Sequence, residues 1–167
     1  MHNYCSYNQF MNTRSMNTIV KPKGCTNFRL RSMSRVVSRH YDAHLGASGL
    51  KVTQYSLLSH LVNLSPIRPV DLARKMGLDA STLTRNLKPL MLAGFVEQGE
   101  GADARSRLIT ITDAGRSKHT EARAMWQHAQ SSLNDLLGAD RVVALHALLD
   151  DTMEILKNAG LTEESTD

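Results

Sequence analysis

Residues 70–90 read VDLARKMGLDASTLTRNLKPL. Apolar residues at helical spacing run from Val70 to Met76, and Gly77 closes that short helix. Asp79 is a good N-cap, because its carboxylate accepts a backbone N–H of the next helix's first turn. Ala80 to Leu92 then reads as a second helix, with Leu83, Leu87 and Leu90 on its buried face. Ser81, Thr82, Thr84, Arg85 and Lys88 fall on its other sides. Gly94 ends it. Two helices joined by a tight glycine turn make a helix-turn-helix. Pro89 lies inside the second helix, removes one backbone hydrogen bond and crowds the carbonyl of Arg85, so a local kink is expected after the polar face.

Directly downstream, Phe95–Glu97 and Arg107–Ile111 read as short strands flanking a polar, glycine-containing loop at 98–106. A hairpin in that place is a wing. Upstream, helices are expected from Cys25 to Leu45 and from Thr53 to Leu64. The first carries Phe28, Met33, Val36, Val37, Tyr41, His44 and Leu45 on one face, and the second an apolar stripe of Leu57, Leu58, Leu61 and Val62. Beyond the wing, Thr112 or Asp113 caps a long helix to Leu137, and Asp140 caps a last one to Asn158. The fold class is mainly α (α+β): a winged helix-turn-helix between N- and C-terminal helices. The expected divisions are a disordered tail at 1–24, supporting helices at 25–64, the winged module at 65–112, C-terminal helices at 113–158 and a flexible tail at 159–167. Met1, Met11 and Met16 are alternative starts.

Composition sets outer limits. With 41% apolar residues the 167-residue chain can bury a core. No run approaches the ~18 apolar residues of a membrane span, and no compact apolar leader is evident. Two cysteines, Cys5 and Cys25, make no disulfide scaffold and no CxxC pair, so a reducing, cytoplasmic setting and no structural zinc are expected. The net charge is +4, and it is unevenly spread: residues 1–60 hold eight basic and one acidic side chain, residues 119–167 three and nine. A basic leading part suits a polyanion partner.

The winged module carries the functional reading. A recognition helix buries one face and offers small polar and basic groups on the other. Ser81, Thr82, Thr84, Arg85 and Lys88 are the candidates for a DNA major groove, hydroxyls and N–H groups near the helix start suiting phosphates and Arg85 suiting a guanine edge. Arg105 and Arg107 belong to the wing, where a protruding arginine fits a narrow minor groove. Asp103 is placed to orient one of them. No P-loop, no GxGxxG after a strand, no GxSxG elbow and no HExxH occurs, so neither an enzyme nor a bound cofactor is expected.

In the order and spacing of GLKVTQYSLL (49–58), VDLA (70–73), STLTRNL (81–87), DARSR (103–107) and ITITDAG (109–115), the chain resembles the MarR family, the multiple antibiotic resistance regulators, over residues 25–158. The resemblance implies a homodimer built by the first and last two helices, with which the heptad-like spacing of residues 122–156 agrees. It implies binding of double-stranded DNA at a pseudo-palindrome with half-sites about 34 Å apart. It also implies repression relieved by a small molecule or by oxidation. For a small aromatic acid or phenol, Arg31, Arg35, His44 and His60 are candidates to hold a carboxylate, each taken singly being better explained as a surface or core-edge residue. For oxidation, Cys25 is the candidate thiol, with Arg29 near enough in sequence to favour the thiolate. His40 and His44 are spaced for one metal ion, but nothing nearby completes a ligand set, and no metal is expected. The alternative of another class is a winged-helix module that binds protein. Arg85, Lys88, Arg105 and Arg107 argue against it.

Overall fold

The computed structural model describes residues 23–100 and 107–161. The chain divides into two compact units between Met33 and Ser34. In the first, the described residues are a short lead-in, with Arg29 donating to the Lys23 carbonyl at 3.0 Å, and the start of helix α1 (Thr26–Leu45). Phe28 is 67% exposed there, and Leu30 and Met33 are also exposed. The second unit contains the rest of α1, α2 (Val52–Leu64), α3 (Pro69–Met76), α4 (Ala80–Leu92), strands β1 (Val96–Glu100) and β2 (Arg107–Ile111), α5 (Asp113–Leu137) and α6 (Ala139–Asn158). Every expected element is present, with ends displaced by at most three residues.

A single core holds the winged module together. Leu57, Leu58 and Leu61 from α2, Leu72 from α3, Leu83, Leu87 and Leu90 from α4, Val96 from β1 and Ile109 and Ile111 from β2 are all buried in it. Burying a leucine contributes roughly 1.5–3 kcal/mol. The wing strands pair antiparallel in the register Val96 with Ile111 and Glu100 with Arg107. Ile67 adds a third rung that the sequence did not signal: its N–H and carbonyl both bond Ile109, at 3.1 and 2.8 Å. That bridge ties the approach to α3 to the wing's outer edge.

Polar contacts fix the element ends. α2 begins where the Val52 N–H donates to Asp42 and the Lys51 N–H to the Gln54 side chain, both at 2.7 Å. α3 opens on Pro69, whose missing N–H costs nothing in a first turn, and closes on Gly77 at φ 62°. α4 runs unbroken through Pro89 to Leu92. Thr112 caps α5 by accepting from the Gly115 N–H at 3.0 Å while its own hydroxyl donates to the Gly94 carbonyl at 2.7 Å. The turn after α4 is thereby pinned to the start of α5. Gly115 completes the junction, since a Cβ there would drive into the Phe95 carbonyl and stand 2.8 Å from Ile111 Cγ1. α6 departs from expectation at its start: Gly138, not Asp140, occupies the N-cap, without a side-chain bond. A 3-10 turn at Gly46–Ser48, also unforeseen, separates α1 from α2.

Two of the expected apolar faces are not core. On α1 only Tyr41 and Leu45 are buried, and Val36 is exposed; on α6 no residue is buried. α5 instead meets α2 through stacked rings. Tyr55 lies between His119 and Trp126, with centroids 5.1 and 5.7 Å apart and planes within 21°. Burial, and then the Arg123 charge, hold the His119 pKa below its ordinary value. Among the described residues no helix is long and apolar enough to cross a membrane.

Asp79 caps α4 with three bonds to its carboxylate: the Ser81 hydroxyl at 2.6 Å, and the Thr82 N–H and hydroxyl at 2.7 Å each. These bonds, Ser81's foremost, lower its pKa far below the usual carboxylate range. The sign follows from linkage: the ionised cap's contribution is complete above the ordinary value of 3.8 and fades as pH falls below it. We therefore expect Asp79→Asn to melt below wild type by a gap that stays constant from pH 7 to 5 and narrows below about pH 4. A gap unchanged down to pH 3, measured by circular dichroism, contradicts the ionic cap. Gly115→Ala is expected to destabilise the chain by about 1–3 kcal/mol in urea unfolding, the range of an overpacked core site.

Candidate nucleic-acid interface

Burial of Leu83, Leu87 and Leu90 sets the rotation of α4 about its axis. Ser81, Thr84, Arg85 and Lys88 are consequently exposed, and Thr82 is half-buried at the helix start. All five sequence candidates on this helix thus share its outward side. Their hydrogen bonds, however, differ from the expected phosphate-donating arrangement. The protons of the Ser81 and Thr82 hydroxyls go to Asp79, and that of Thr84 goes to the Ala80 carbonyl at 2.8 Å. The Thr82 N–H is likewise taken by Asp79. A carboxylate thus fills the helix N-terminus where an anion would otherwise bind. Arg85 lies along the helix with Nη2 donating to Thr82 Oγ1 at 3.3 Å. That leaves guanidinium N–H groups and the Lys88 ammonium as the donors of this face.

Of the wing residues, Arg107 opens β2 and is exposed. Asp103 and Arg105 lie outside the described residues. A further basic group escaped the sequence reading. Arg68, just before α3, and Arg74, within it, both pair with Asp71, at 2.6 and 3.4 Å, and Lys75 stands beside them, exposed. The Arg68 hydrogen bond is the main cause that lowers the Asp71 pKa. The signal was present as an Arg-x-x-Asp-x-x-Arg spacing across 68–74, which places all three on one side of a helix's first turns.

The candidates for an acid-binding pocket stand differently. His44 and His60 each turn Nδ1 to a carbonyl of their own helix, of His40 at 2.9 Å and of Ser56 at 2.8 Å. A carbonyl only accepts, so Nδ1 carries the proton in both rings. The His44 ring lies beside those of His40 and His128, with centroids 4.5 and 5.1 Å away, and His40 Nε2 is 3.0 Å from the Ala129 carbonyl. Arg35 is exposed on α1, as is Arg31 in the first unit. Cys25, in that unit too, is an exposed free thiol.

The geometry has clear counterparts. Residues 48–106 match the family model described as MarR family. The M. tuberculosis transcriptional regulator MosR, solved in complex with DNA, is 32% identical and superposes with a TM-score of 0.68, covering 79% of this chain and 98% of its own. A mutant of E. coli MarR complexed with operator DNA is 27% identical, with a TM-score of 0.68, covering 74% of this chain and 91% of that one. The HTH-type transcriptional regulator YwoH of Bacillus subtilis is 24% identical over 119 residues, 71% of this chain and 87% of that protein. With its helix-turn-helix, its paired wing strands and its long flanking helices all in family order, this chain belongs to the MarR family of winged-helix regulators.

Proposed function

We propose that the chain is a homodimeric transcriptional regulator that binds double-stranded DNA in a sequence-specific way. The observation that carries this reading is the outward side of α4, where Arg85 and Lys88 stand exposed on a helix whose opposite side is locked in the core. Such a helix enters a major groove as a rigid unit and loses little freedom on binding. Arg85 is the donor for a guanine edge, and Lys88 contacts phosphate. Arg105 and Arg107 bring the wing to the minor groove, with Asp103 supporting them, and Arg68, Arg74 and Lys75 give α3 a phosphate-facing flank. The similarity to regulators solved with DNA supports the same reading.

The dimer reading rests on apolar surface. Among the described residues none on α6 is fully buried, and Leu149, Met153 and Ile155 are 40%, 49% and 66% exposed along it. A helix with this much uncovered apolar area is a natural interface with a second copy. A winged-helix protein-binding module finds less support, because the charged outward side of α4 lacks the apolar centre such an interface needs. Control by a small aromatic acid or through the Cys25 thiol rests on the family likeness, and the Nδ1 bonds of His44 and His60 do not favour a carboxylate between them.

Binding to a duplex bearing the protein's own selected site is expected to weaken as salt rises, by about 0.9 log unit per decade for each phosphate contact. Arg105→Ala with Arg107→Ala is expected to weaken that binding at least tenfold, on the order of 1–3 kcal/mol per base-directed contact, and to leave the dimer intact. Unchanged affinity in the double variant counts against the wing, and no duplex binding in dilute buffer counts against the whole reading. Leu149→Glu with Met153→Glu is expected to yield a monomer by light scattering; a dimer that persists would remove α6 from the interface.

A further inference from the structure

The hydrogen bonds of α4 bear on which bases it reads, given that it reads DNA at all. We infer that the hydroxyl oxygens of Ser81, Thr82 and Thr84 face the major groove as hydrogen-bond acceptors only. They select the exocyclic amino groups of adenine and cytosine over the carbonyl edges of guanine and thymine.

A hydroxyl has one proton to give. The partner of Ser81 and of Thr82 is a carboxylate, and the partner of Thr84 is a peptide carbonyl. Neither kind of partner carries a proton of its own, so in each pair the hydroxyl is the donor. The bonds to Asp79, at 2.6 and 2.7 Å, have the short length of charge-assisted ones. An acceptor on DNA offers a weaker bond than the carboxylate already in place. Ser81 and Thr82 therefore keep their protons turned inward and present lone pairs outward, and Thr84 does so while its proton stays on the Ala80 carbonyl of its own helix. Thr82 Oγ1 accepts once already, from Arg85.

Groove chemistry supplies the matching partners. In the major groove adenine offers its N6 amino group and cytosine its N4 amino group as donors. Guanine O6 and thymine O4 only accept. The same polarity disfavours phosphate, which only accepts and meets the negative charge of Asp79 at this helix end. Labour on α4 is thus divided by hydrogen-bond sense. The first turn takes donors from amino-bearing bases. Arg85 and Lys88, a turn further on, give protons to guanine or to the backbone.

The test is selection of sites from a randomised duplex library by the full-length chain, by Ser81→Ala and by Thr82→Val. Every base pair carries one amino group in the major groove, so the expected outcome is that in each half-site the wild type fixes at least one pair that the variants leave free, and that its binding depends on that pair's amino group. Replacing the selected base with an analogue that lacks only the amino group should weaken wild-type binding roughly fivefold to tenfold, as for one lost neutral hydrogen bond, and the matching variant little. Wild-type binding that is unchanged when the variant-sensitive pair loses its amino group overturns the inference. So does a site preference that neither variant alters, or duplex binding with no preference at all, and each of these leaves the DNA-binding reading standing. Absence of duplex binding in dilute buffer overturns both. Should Thr82→Val fail to fold, Ser81→Ala and the base analogue on the wild-type chain decide the matter.

Discussion

The seating of Leu83, Leu87 and Leu90 in the core is the constraint on which the rest depends. A helix held by three buried leucines one turn apart is not free to rotate, because a turn of 100° would bring a polar residue into a space packed by Leu57, Leu61 and Leu72. What α4 offers outward is therefore fixed by what it buries. The charged and hydroxylated side is the complement of the leucine stripe, and its exposure needs no separate cause.

The same core sets where the wing stands. β2 buries Ile109 and Ile111 against the module, Ile67 clamps Ile109 from the other edge, and Thr112 ties the end of β2 to Gly94 just past α4. Gly115 lets the first turn of α5 approach the Phe95 carbonyl more closely than any side chain allows. α4, the wing and α5 thus meet at one junction of backbone hydrogen bonds. Covalently adjacent, hydrogen-bonded residues join the start of α5 to the wing and to the end of α4.

Periodicity made the module legible. Leu83-Leu87-Leu90 and Ile109-Ile111 have the spacing of a helix and a strand, and both are buried as their periods require. Asp79 reads as a cap, and Thr112 or Asp113 as another, because a short acceptor before an apolar-periodic run has few other uses; Asp79 and Thr112 are the ones that accept a first-turn N–H. Periodicity failed where it met a second possible partner. Phe28 and Val36 on α1 and Leu149 and Met153 on α6 keep the helical spacing of the core leucines but are exposed. A repeat specifies that a face seeks cover, and not which molecule covers it. The Ile67 bridge and the Tyr55 stack were illegible for another reason: they join residues more than forty positions apart, and no local pattern encodes a long-range pairing.

The sense of each hydrogen bond is a further layer that composition hides. Serines and threonines before an arginine invite the reading that hydroxyls clasp phosphate, and the charge balance of the leading segments supports it. Asp79 reverses that reading with one carboxylate. Because its pKa is driven down by the bonds it accepts, the Ser81 hydroxyl's foremost, it is an anion at neutral pH. A negative charge at the tip of a helix proposed to enter a polyanion costs electrostatic attraction, which makes it a poor choice for affinity alone. It is a sound choice for a helix whose first turn must be rigid and must offer lone pairs in fixed directions. On this view the basic residues, Arg85, Lys88 and the group around α3, supply attraction to the backbone, and the acid at position 79 gives up part of it in exchange for discrimination between bases.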